Sequence, residues 1–181
     1  MLSLASRTLV GCLLALSVAG VLDARAEAAA ALEGCWISAA EDGVIEFRPG
    51  DDGALRGRVV GVAEPLFTEG PRRGEPIVDL NNPDVSLRAR SIAGIYVVEG
   101  LRQNGDAWRG GRLYDPRSGR RFSARARLGE DGMLRIRGYL GMPLLGVTLR
   151  WRRATSDPDR TARMIDALAP YRPADMPPPA C

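Results

Sequence analysis

The sequence has no histidine, and all 25 of its basic residues are arginine, with no lysine. Imidazole acid/base work, Ser-His-Asp triads, histidine metal sites and lysine Schiff bases are therefore excluded. Carboxylate, tyrosine or thiol chemistry is left, and each would need a cluster that no spacing in the chain marks. The expectation is a non-enzyme with no catalytic residue, no metal site and no cofactor. Asp79, Asn82, Asp84 and Asp115 do not alter it, because they fall among Pro, Gly and Asn, where short polar side chains bond the local backbone of turns.

Long apolar runs are scarce too. The one near the start, "TLVGCLLALSVAGVL", carries no charge between Arg7 and Asp23 but is short for a membrane span of roughly 20 residues. Arg7 before it and the small-x-small Ala24-Arg25-Ala26 after it give the layout of a cleaved export signal over residues 1–26. The "LVGC" ending at Cys12 superficially matches a lipoprotein cleavage box but comes too early, since the apolar run continues to Val21. After cleavage the chain is expected not to span a membrane. Removing 26 of the 181 residues leaves 155, one domain's worth, and 45% hydrophobic with 26% charged residues describe a folded globular chain.

Two cysteines outlast that cleavage, Cys35 and the final residue, Cys181. In an exported chain an even pair is most simply a disulfide, here tying the tail "PADMPPPAC" onto the first strand; two free or intermolecular thiols are the alternative.

What the chain does have is turn formers at short intervals with alternating segments between them, the all-β pattern. Eight strands are predicted: "GCWIS", "VIEFR", "ALRGRVVGV", "SIAGIYVVE", "AWRGGRLY", "RRFSARARL", "MLRIRGYL" and "GVTLRWRRA". The connections "PGDDG", "DPRSG" and "GEDG" place Gly where a positive φ is expected, so the later strands form an antiparallel meander. Residues 64–90, with four prolines and several acids, read as a loop carrying at most a short edge strand at 77–80. After the last strand, Asp157 caps and Pro158 opens a short helix with Met164, Ile165 and Leu168 on its apolar side. The organisation is thus a β domain over 27–156 and a helix with a Pro-rich tail over 157–181.

Strand parity sorts the charges. In "RRFSARARL", Phe122, Ala124 and Ala126 oppose Arg121, Arg125 and Arg127; in "MLRIRGYL", Leu134 and Ile136 oppose Arg135 and Arg137. Positions 101–153 hold 13 arginines against four acids, whereas positions 27–101 hold 13 acids against seven arginines, a marked dipole beneath an overall charge of +3. The arginine stripe reads as a solvated outer face, or else as a patch for an anionic envelope component. Nucleic acid is not expected, since no aromatic interleaving accompanies the stripe.

"GCW" in the first strand resembles the Gly-x-Trp that opens lipocalin-type barrels, and Arg152 or Arg153 beside Trp151 resembles the arginine that covers that tryptophan in such folds. Gly34, Trp36, Arg152 and Arg153 are therefore the candidate closure of one barrel end, with a guanidinium on the indole of Trp36. "GCW", "LRGRVVG", "DLNNPD", "WRGGRLYDPRSGRRF" and "LRIRGYLGMPLLGVTLRWRR", in that order, further resemble the uncharacterised bacterial exported family called domain of unknown function 2147. The resemblance implies a periplasmic or envelope protein and a lipocalin-like, eight-stranded, antiparallel up-and-down barrel with no established activity. Such a barrel has room for one small ligand. A small hydrophobic or amphipathic partner is the leading expectation, with Trp108, Tyr114, Tyr139 and Tyr96 as candidate liners. A packed barrel docking through its arginine face is the alternative.

Overall fold

The computed structural model describes residues 31–181, so the predicted export signal lies outside the described residues. Eight antiparallel strands close into a single up-and-down barrel in chain order. They are β1 (Gly34–Ile37), β2 (Gly43–Pro49), β3 (Leu55–Val62), β4 (Tyr96–Asn104), β5 (Ala107–Asp115), β6 (Arg120–Leu128), β7 (Leu134–Tyr139) and β8 (Val147–Arg153). Closure is made by β1 on β8, where Trp36 faces Arg153 and Ile37 faces Arg152. A helix, α1 (Pro158–Leu168), follows, its Asp157 cap accepting the Arg160 amide at 3.2 Å.

Two strands depart from the sequence expectation. β4 starts at Tyr96 rather than at Ser91, because Gly94 takes φ 80° and residues 92–95 turn, leaving Ser91 only an isolated bridge to Val78. In β5 an extra residue bulges out: Trp108 faces Ala126 while Gly111 faces Ala124, with Gly110 at φ 74°. The candidate liners Trp108 and Tyr114 therefore fall on opposite faces of the strand. Trp108, Gly111 and Leu113 pair with the inward Ala126, Ala124 and Phe122, whereas Arg112 and Tyr114 pair with Ser123 and Arg121 on the outside.

The core fills the lower barrel with Trp36, Phe47, Leu55, Leu101, Trp108, Leu134, Ile136 and Trp151. Each such side chain contributes about 1.5 to 3 kcal/mol by leaving water. Glycine permits close approach where bulk would collide: a Cβ on Gly61 would stand 2.9 Å from the Met164 backbone of α1, which buries Thr161, Met164 and Leu168 on β3.

The Pro-rich tail is fastened to the outer side of β2 and β3. Cys35 and Cys181 form a disulfide across a Cα separation of 5.2 Å. Beside it Glu46, 1% exposed, pairs with Arg58 and Arg48 at 2.7 Å each and accepts the Ala180 amide at 2.7 Å, while Arg58 donates to the Pro177 carbonyl at 3.1 Å. Burial alone would push the Glu46 carboxyl up, but the Ala180 amide and the two arginines together hold it below the ordinary carboxylate range.

Candidate functional site

One end of the barrel is sealed. The Arg153 guanidinium lies 4.0 Å from the centre of the Trp36 ring, donates to the Glu33 carbonyl at 2.6 Å and also reaches the Ala31 carbonyl. The Trp36 indole donates to the Leu32 carbonyl at 2.9 Å. Arg152, one residue earlier and therefore on the other face, instead binds Glu41 and Asp157 on the outside. Of the two arginines offered by the sequence, Arg153 is the one on the tryptophan.

The other end holds a cavity of about 850 Å³. Ile45, Val59, Val97, Leu113, Leu149 and Trp151 form its walls, and Phe67, Ile77, Leu80 and Ile92 from the long 64–90 loop and its exit extend them upward. Polar groups gather at the rim, among them Ser38, Asp42, Asn81, Asp115 and Arg117. An ion pair between Arg117 and Asp42 links the β5–β6 turn to the β1–β2 turn there. The indole N–H of Trp151 is buried on the wall with no hydrogen-bond partner among the described residues. An apolar chamber with a polar rim suits a molecule with an apolar body and a polar end.

The loop over the mouth is locked by a residue whose place the sequence reading misjudged. Asp79 does open a turn, its carbonyl accepting the Asn82 amide at 3.0 Å, but its carboxylate, instead of bonding local backbone, is a fully buried hub: it accepts from Tyr114 Oη at 2.6 Å, Arg90 Nη2 at 2.7 Å and Asn82 Nδ2 at 2.6 Å. Asn82, Asp84 and Asp115 behave as expected, each accepting a backbone amide two residues ahead. The hub keeps Tyr114 protonated: burial first, then the hydrogen bond to Asp79, push its phenol up to about 12. Two further contacts seat the same loop on the β5–β6 turn. Asn81 donates to the Arg117 carbonyl at 2.6 Å, and a Cβ on Gly119 would collide with the Asn81 carbonyl. The "DLNNPD" and "YDPRSG" segments are thus two halves of one lock.

Of the four aromatics offered as liners, Tyr114 borders the cavity at its rim, with its hydroxyl taken by Asp79. Trp108 is buried in the core and is not part of the cavity wall. Tyr139 faces outward opposite Ser123, and Tyr96, 43% exposed, stands outside beside Glu46, Arg58 and Pro177. None of the wall residues Ile45, Val59, Val97, Leu113, Leu149 and Trp151 is among those candidates; for Trp151, Leu113 and Leu149, pairing with inward Leu134, Phe122 and Ile136 is the signal that marks them. Among the described residues no group of acids and cysteines is placed to hold a metal ion.

An eight-stranded antiparallel barrel with a Trp-and-Arg floor and an open apolar chamber is a lipocalin-like fold. The chain belongs to the bacterial family described as "Uncharacterized protein conserved in bacteria (DUF2147)", whose profile matches residues 34–153. It is similar in structure to protein HP1028 from the human pathogen Helicobacter pylori, described as belonging to the lipocalin family. That similarity has a TM-score of 0.57 at 18% identity and covers 76% of this chain and 97% of the other. No curated protein matches the sequence.

Proposed function

We propose that the protein binds a small hydrophobic or amphipathic molecule in its barrel, without catalysis. The observation that carries this reading is the cavity of about 850 Å³, apolar on its walls and polar at its rim. A barrel filled by its own side chains would leave no such space, and pockets of roughly 300 to 1,000 Å³ are typical of small-molecule sites. The buried Asp79 and Tyr114 are consumed in holding the loop, so this buried titratable pair is structural in this reading.

The place of action in this proposal is the periplasm or envelope, reached through cleavage of the segment 1–26. A Cys35–Cys181 disulfide accords with an oxidising compartment. The test is native mass spectrometry of protein recovered from the periplasm, followed by solvent extraction of whatever has co-purified. A stoichiometric lipid-like adduct is the expected result. Bare protein that stays bare after exposure to envelope lipids would overturn the reading, and recovery only from the cytoplasm with the first 26 residues intact would overturn its location.

A further inference from the structure

The connection between β7 and β8 carries side chains that the fold leaves in water. Leu140, Met142, Leu144, Leu145 and Val147 are between 63% and 84% exposed. They follow one another within positions 140–147, so they form one patch rather than scattered apolar residues, and a contiguous exposed patch of this kind marks an interaction surface.

The patch is presented by a fixed scaffold. Arg137 donates from Nε to the Pro143 carbonyl at 2.6 Å and from Nη2 to the Leu144 carbonyl at 2.9 Å, and its Nη1 reaches Thr148 at 2.9 Å. The 3-10 turn Pro143–Leu145 is thereby pinned through its backbone while its leucines point away. Gly146 crosses close above β7, where a Cβ would stand 2.5 Å from the Gly138 carbonyl. Val147 and Gly138 also border the cavity, so the patch runs into the chamber's own wall.

Along β6, β7 and β8, the strands that flank the patch, the charged side chains have one sign, whereas the acids of the mouth, Asp42, Glu64 and Asp115, lie on the β1–β2 and β3–β4 connections and at the end of β5. Positions 132–156 contain no acidic residue. On the adjoining β6, Arg120 and Arg121 lie at the mouth end, and Arg125 stands directly opposite Arg137. Among the described residues Arg120, Arg121 and Arg125 make no salt bridge. Leucines flanked by uncompensated guanidinium groups fit one kind of surface: acyl chains beneath anionic headgroups.

We infer that the 140–147 loop docks on an anionic phospholipid bilayer, Leu144 and Leu145 entering the acyl region and Arg120 and Arg125 meeting headgroup phosphates, which sets the barrel mouth against the membrane. The inference rests on the ligand-binding reading for its purpose, namely exchange of an amphipathic molecule between bilayer and chamber. Docking itself is tested separately. Protein recovered from the periplasm is sedimented with vesicles of phosphatidylethanolamine and phosphatidylglycerol, and with vesicles of phosphatidylcholine alone. A parallel titration with the soluble apolar fluorophore N-phenyl-1-naphthylamine reads the chamber.

The expected result is sedimentation with the anionic vesicles, weakened by salt. Leu144→Ser with Leu145→Ser should lower vesicle partitioning by about tenfold or more while leaving fluorophore binding unchanged. Arg120→Gln with Arg125→Gln should remove the preference for anionic vesicles. Docking is overturned if the parent protein stays in the supernatant, if the double-serine variant sediments as well as the parent, or if sedimentation velocity shows a dimer that the double-serine variant dissolves. Fluorophore binding absent from all the proteins, with vesicle binding intact, would overturn the chamber reading and uphold the docking surface.

Discussion

Tyr114 on β5 donates a 2.6 Å hydrogen bond to Asp79, 35 residues earlier in the chain, and this contact fixes the long 64–90 loop across the barrel mouth. The loop so held contributes Phe67, Ile77 and Leu80 to the upper chamber. Arg121 stacks on the outer face of the Tyr114 ring, its guanidinium 5.4 Å from the ring centre.

Tyr114→Phe removes one donor from a fully buried carboxylate and should destabilise the protein by about 1 to 3 kcal/mol. Asp79→Ala should cost about 3 kcal/mol, the low end for a broken buried ion pair, because Arg90 keeps partial access to water. Urea denaturation of the two variants checks both. Hydrogen exchange should localise the loss in protection to residues 77–92 and to the β5–β6 turn.

Arg153→Ala should lower stability by about 2 to 4 kcal/mol, since it removes the cation–π contact with Trp36 and a charge-assisted hydrogen bond to the Glu33 carbonyl. The neighbouring Arg152→Ala should cost within about 1 kcal/mol, because its ion pairs lie at the surface. Equal losses from the two substitutions would contradict the assignment of Arg153 as the floor residue.

The disulfide encloses nearly the whole barrel, with a separation of 146 residues. Loop-closure entropy then gives it about 5 kcal/mol of stabilisation. Cys181→Ser should lower the thermal midpoint markedly without changing the barrel's β-sheet circular dichroism. Reductant should lower the parent's midpoint and leave that of the variant unchanged.

Glu46 links tail anchoring to acid. Its folded carboxyl titrates below its unfolded value, so its contribution is fully present above the unfolded value near about pH 4.5 and is lost as pH falls through the folded one. The parent should lose stability as pH falls below about 4.5, and Glu46→Gln, less stable at neutral pH, should show a flatter slope there. A steeper slope in the variant would contradict this sign.

Most of the architecture was legible in the sequence. Turn glycines and period-two alternation placed eight strands in order, and "RRFSARARL" coincides with β6 residue for residue. Asp157-Pro158 marked the helix start. Chamber residues were harder to read because one bulge at Gly110 reverses parity along β5, and no alternation rule reveals an inserted residue. Asp79 looked like its turn-forming neighbours because its partners Tyr114 and Arg90 are brought to it only by the folded loop. The stripe of arginines on β6 and β7 was visible by parity. Its relation to the exposed 140–147 leucines depends on which hairpins share a barrel end, which only the closed topology fixes.

The central claim is that the chamber takes an apolar ligand, and Trp151 on its wall offers the most direct readout. N-phenyl-1-naphthylamine should bind saturably at one site, with energy transfer from tryptophan that falls strongly in Trp151→Phe. Leu149→Trp, which narrows the chamber from the same wall, should weaken the saturable binding while keeping the fold. Absence of saturable binding to the parent, or binding unaffected by Leu149→Trp, would contradict the account.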